Sequence, residues 1–85
     1  MSPFGQGLAM SVKRFQVRDD EGKLCSSKCW VSQTVGGYRI GIEILSKRER
    51  FEGFSDASHE QIAWYDVKTQ IQAMGYRIVE DFHEY

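Results

Sequence analysis

The 85-residue chain is predicted to fold as one α+β domain, an antiparallel sheet of four to five strands with one helix packed on one face, in the order β-β-β-β-α-β. Three observations predict it. Apolar and polar residues alternate in SVKRFQVR (residues 11–18) and in YRIGIEIL (residues 38–45), the period of a strand with one buried face. Turn-forming runs, DDEGK and a Gly-Gly pair, separate the β-prone segments. Between Ser55 and Gly75 the apolar spacing changes to that of a helix.

In the first strand Phe15 and Val17 share one face, with Arg14, Gln16 and Arg18 opposite. DDEGK reads as a hairpin turn with Gly22 available for positive φ. A second strand falls within Leu24–Thr34 and is strongest at CWVSQTV, where the pattern does not fix the facing of Trp30. Gly36-Gly37 is the expected two-residue turn into the third strand, whose Tyr38, Ile40, Ile42 and Ile44 form the centre of the core. SKRER interrupts the alternation, and RFEGF supplies a short fourth strand.

For the helix, Ser55, Asp56 and Ser58 compete as N-cap, and Ser58 with Gln61 fits a capping box. Ala63, Trp64, Val67, Ile71 and Met74 fall within an arc of about 100°, the core-facing stripe. Gly75 suits a left-handed C-terminal cap, which pairs Ile71 with Tyr76 in a Schellman motif. YRIVEDFH then returns to extended structure, with Tyr76, Ile78 and Phe82 on one side. Residues 1–9, which hold the only proline, read as a flexible arm, and residues 10–85 as the domain.

Composition narrows the function. There is no run of eighteen apolar residues and no basic leader before an apolar run, so neither a membrane span nor a secretory signal is expected. Two cysteines make no disulfide framework, which favours a cytoplasmic location. The net charge of −1 argues against a general polyanion binder. It is unevenly spread, however. Residues 1–50 carry nine basic against five acidic side chains, a net of +4, and residues 51–85 carry two against seven, a net of −5. Such asymmetry marks either a nucleic-acid surface or two halves that pair with each other.

Chemistry-bearing groupings are sparse. His59 falls in the first helical turn and His83 near the C-terminus, neither placed beside a nucleophile. Cys25, Cys29, His59 and His83 formally make a Cys2His2 zinc set, but the histidines are widely spaced and the thiols converge only if the SSK between them turns. The bland alternative is two small, half-buried strand residues. GQG at residues 5–7 lacks the third glycine and the strand–helix setting of a phosphate loop. No enzyme activity and no cofactor are expected.

Binding has two candidate surfaces. On the helix flank opposite the core stripe, Ile62, Tyr65 and Thr69 form a small patch edged by Glu60 and Asp66, an apolar centre in a polar rim. On the solvent side of the sheet, Arg14, Arg18 and Arg39 project from strands, with Arg48 and Arg50 after the third strand and Trp30 as an aromatic among them. That set would suit single-stranded nucleic acid through phosphate contacts and stacking. Exposed strand faces also carry Arg and Lys simply to prevent aggregation. The leading expectation is therefore a non-catalytic interaction or regulatory module that binds another protein or a second copy of itself, through the helix flank. Single-stranded nucleic-acid binding and a small zinc domain are the alternatives.

Overall fold

A computed structural model describes residues 10–79. The chain forms β1 (Met10–Arg18), β2 (Leu24–Thr34), β3 (Gly37–Ile44), β4 (Glu49–Ser55), the helix α1 (Glu60–Ala73) and β5 (Arg77–Ile78), with a single 3-10 turn at Leu45–Lys47. The order is the predicted one. The five strands make one antiparallel sheet in the spatial order β4-β3-β2-β1-β5. β1 to β4 are a meander, each strand beside the next. β4 and β5 run in the same direction on opposite edges, and strands so related need a crossover connection. α1 makes that crossover, packing on β3, β2 and β5 as it passes.

The core lies between the helix and the sheet face it covers. Val17 of β1, Cys25, Cys29 and Val31 of β2, and Ile40, Ile42 and Ile44 of β3 all bury toward α1. The helix answers with Ala63, Trp64, Val67 and Ile71. Met74, the last residue of the predicted stripe, caps the helix and packs at the margin of the cluster beside Phe15, Tyr38, Phe51 and Ile78. Each large side chain so buried contributes roughly 1.5–3 kcal/mol. Phe15 meets Trp64 edge-on, centroids 6.1 Å apart, and Lys13 lies 4.8 Å over the Trp64 ring.

Two local expectations are corrected. The β2–β3 turn is Val35-Gly36, one residue earlier than the Gly-Gly pair suggests: Thr34 already pairs with Gly37, the first residue of β3. Gly37 pairs as the first residue of β3, and a Cβ there would meet the Ser55 carbonyl oxygen, so the position leaves room for glycine alone. At the start of α1 the cap is His59, whose side chain makes no capping bond, and the Ser58–Gln61 box does not form. Ser55 is occupied elsewhere: its hydroxyl donates to the Asp66 carboxylate and accepts the backbone N–H of Ala57. The other end follows the sequence closely. Gly75 adopts φ +100°, its N–H bonds the Gln72 carbonyl, and Tyr76 N–H reaches back to Ile71, the two bonds of a Schellman cap.

Within the described residues the expected extended segment appears as β5, and Val79 N–H continues the pairing by bonding the Gln16 carbonyl. Phe82 and His83 lie outside the described residues, as do residues 1–9.

Candidate functional site

Among the described residues there is one helix, and it covers one face of the sheet and leaves the other open. Strand parity assigns every residue to a face. On β1, Met10, Val12, Arg14, Gln16 and Arg18 turn away from the helix. The register then sets Ser32, Trp30, Lys28, Ser26 and Leu24 of β2 opposite them in that order. β3 adds Arg39, Gly41 and Glu43, β4 adds Phe54, Glu52 and Arg50, and β5 adds Arg77.

The open face has an apolar end, in the two rows that hold Met10 with Phe54 and Val12 with Trp30. Met10, Val12 and Phe54 are 59%, 50% and 56% exposed, and Trp30 is half-buried among them. Trp30 is held by Gly41 on β3. A Cβ at Gly41 would collide with the indole, so the ring occupies the space a side chain would take and lies over the backbone. The Arg50 guanidinium sits 5.5 Å from the indole centroid. Phe54 is paired in register with Arg39, and the two line a hollow of about 450 Å³ with Thr34, Val35, Glu52 and Gly53.

The charges on this face are unbalanced. Arg14, Arg18, Lys28, Arg39, Arg50 and Arg77 stand against Glu43 and Glu52, a net of +4 on a chain whose net is −1. Arg50 pairs with Glu52 at 2.9 Å. Two cation pairs are directly opposed across neighbouring strands, Arg14 with Lys28 and Arg18 with Arg77. Like charges in that position destabilise a sheet. Among the described residues none of these four lies in an ion pair. The Arg18 guanidinium donates to the Gly22 carbonyl.

Of the sequence-predicted nucleic-acid set, the fold brings Arg14, Arg18, Trp30, Arg39 and Arg50 onto one surface. Arg48 is not among them: it occupies the turn before β4 in the left-handed region, φ +56°. Lys28 and Arg77 belong to the surface and were absent from that set. Lys28 was legible in principle, since it shares strand parity with Trp30. Arg77 was hidden, because its place beside Arg18 depends on the crossover.

The helix flank is as expected in its geometry. Tyr65 is 69% exposed and Ile62 41%, while Trp64 is buried. Thr69 is beside them, but its hydroxyl donates to the Tyr65 carbonyl. The polar rim is engaged within the molecule. Glu60 accepts from the Ser11 hydroxyl and from Trp64 Nε1, which hold its carboxyl below the ordinary range, and Asp66 accepts from Ser55.

The proposed zinc ligands are not brought together. β2 runs straight through the SSK segment, so Cys25 and Cys29 stand about 13 Å apart along one buried strand face. Cys25 donates weakly to the Lys23 carbonyl and Cys29 to Ser27 Oγ. Burial pushes the Cys29 thiol up to about 11, keeping it protonated. His59 caps the helix, and His83 lies outside the described residues. Among the described residues no three His, Cys, Asp or Glu side chains gather as a metal site. No helix there is long and apolar enough to cross a membrane.

No family model, curated protein or solved structure matches the chain.

Proposed function

We propose that the protein is a non-catalytic recognition module that meets an acidic partner with the open face of its sheet. The observation that carries this is the pair of opposed cation couples, Arg14–Lys28 and Arg18–Arg77, on a face of net +4. A sheet built only for stability would place opposite charges, or none, at such positions. Among the described residues only Lys28 of the four cations has an acidic partner in register, Glu43 on its β3 side. An anion spanning each couple removes the repulsion, so the cost in the free protein becomes affinity in the complex. The exposed Met10, Val12 and Phe54 and the half-buried Trp30 add apolar and aromatic contact area beside the cations.

Retention on immobilised heparin tests the reading. The wild-type protein is expected to bind at low salt and elute as salt screens the contacts. The double variant Arg14→Glu/Arg77→Glu, which converts both couples into opposite-charge pairs, is expected to pass unretained while remaining folded. A wild-type protein that is not retained refutes the proposal.

The helix flank supports a second reading, contact with a protein or a second copy, because Tyr65 and Ile62 remain outward. It involves two side chains whose charged neighbours already have internal partners, so it stands behind the sheet face. If it operates, Ile62→Asp/Tyr65→Ser abolishes self-association in sedimentation runs and leaves the thermal midpoint unmoved. A wild-type protein that stays monomeric at high concentration removes the second-copy form.

A further inference from the structure

We infer that the acidic partner is single-stranded nucleic acid, with a base stacked on Trp30 and backbone phosphates held by the two cation couples. This rests on the recognition reading above and goes beyond it by naming the ligand's chemistry.

Three features of the open face fit a nucleic-acid strand better than an acidic protein. First, Trp30 lies over Gly41, backed by the sheet instead of filling the core. The inner side of the indole rests on Gly41 and the Arg50 guanidinium lies over the ring. A base therefore stacks by displacing that guanidinium, and such stacking tolerates any sequence because every base has a flat face. Second, the aromatic–arginine combination occurs twice, as Trp30 with Arg50 and Phe54 with Arg39. The second borders the hollow of about 450 Å³ at the β2–β3 end of the sheet. Ring and guanidinium together offer stacking beside a phosphate contact, for which Arg50 exchanges its Glu52 partner. Third, Arg14–Lys28 and Arg18–Arg77 lie one beyond the other along β1, about 13 Å apart between Arg14 and Arg18. Cations spaced along a strand suit a repeating polyanion. A duplex keeps its bases stacked on one another and offers no base face to Trp30, so the geometry selects single strands.

Fluorescence anisotropy with a labelled mixed-sequence single-stranded oligonucleotide tests this, with the matching duplex and poly-glutamate as competitors. Tryptophan emission is followed in the same titration. Trp64 is buried under the helix, so quenching reports Trp30. The expected result is binding that weakens steeply with salt, quenching on saturation, and poor competition by duplex and by poly-glutamate. Trp30→Leu is expected to weaken binding about 5- to 150-fold, the range of one lost base stack. Should that variant fail to fold, the quench in the wild-type protein decides: binding without quenching overturns the inference. Equal competition by duplex or poly-glutamate also overturns it, leaving the acidic-partner reading in place. No binding to heparin or to any of these probes overturns both.

Discussion

Asp19 shows how much a single carboxylate organises here. Its Oδ1 accepts the backbone N–H groups of Glu21 and Lys23 at 2.9 and 2.8 Å, shaping the β1–β2 turn, while Oδ2 pairs with Lys47 at 3.0 Å. The Lys23 N–H, then Lys47, hold the Asp19 carboxyl below its ordinary 3.8. A group whose folded value is depressed supports the fold above its ordinary value and loses that support as pH falls through the folded one. Urea denaturation at a series of pH values should therefore show stability declining as the solution is acidified below about 3.8, and Asp19→Asn should flatten that decline. An unchanged slope would remove Asp19 from the account. Lys47 carries the opposite sign: Asp19 raises its value, so its contribution holds at neutral pH and is lost only as pH rises through that raised value. The DDEGK turn was legible because its glycine and Asp residues act locally. The Lys47 partner was not, because the two residues meet only when β1 and the turn after β3 end side by side.

At the scale of the element, the ends of α1 contrast. The C-terminal cap was readable because a glycine with an apolar residue on each side has few other uses, and Gly75 with Ile71 and Tyr76 fulfils it. The N-terminal cap was misread, since the Ser55 hydroxyl is drawn to Asp66 on the helix and leaves His59 to begin the turn. His59 has extended backbone angles, φ −156° and ψ 172°, which suit a capping residue. His59→Asp is expected to stabilise the protein by about 1 kcal/mol, since it supplies the missing acceptor and a favourable charge at the helix start. Thermal unfolding would register that as a rise of about 4–8 °C for a domain of this size. No rise would mean the first turn is already satisfied. Trp30 was ambiguous for a related reason. In β2 apolar side chains occupy both parities, Cys29 and Val31 on one and Trp30 on the other, so alternation alone could not choose the buried face.

For the molecule as a whole, the two sheet faces should respond oppositely to substitution. Ile42 is fully buried against the helix, and Ile42→Ala should cost about 2–5 kcal/mol in urea denaturation. Arg14→Glu on the open face should instead leave stability unchanged or raise it by up to about 1 kcal/mol, because it turns a repulsive pair with Lys28 into an attractive one. A clear loss from Arg14→Glu would mean that Arg14 is structural and the surface is not held for binding. The amino-acid sequence by itself determined the elements, their order, the core stripe of α1 and the inward face of β3, because periodicity and turn chemistry act between near neighbours. It also showed the basic bias of the first fifty residues. Only the tertiary structure decided that Trp30 lies outward over Gly41, that Lys28 stands opposite Arg14, and that Arg77 comes to rest beside Arg18. Those placements depend on strand register and on a crossover that carries the chain from one sheet edge to the other. They follow from burying one common core, and no local pattern encodes them.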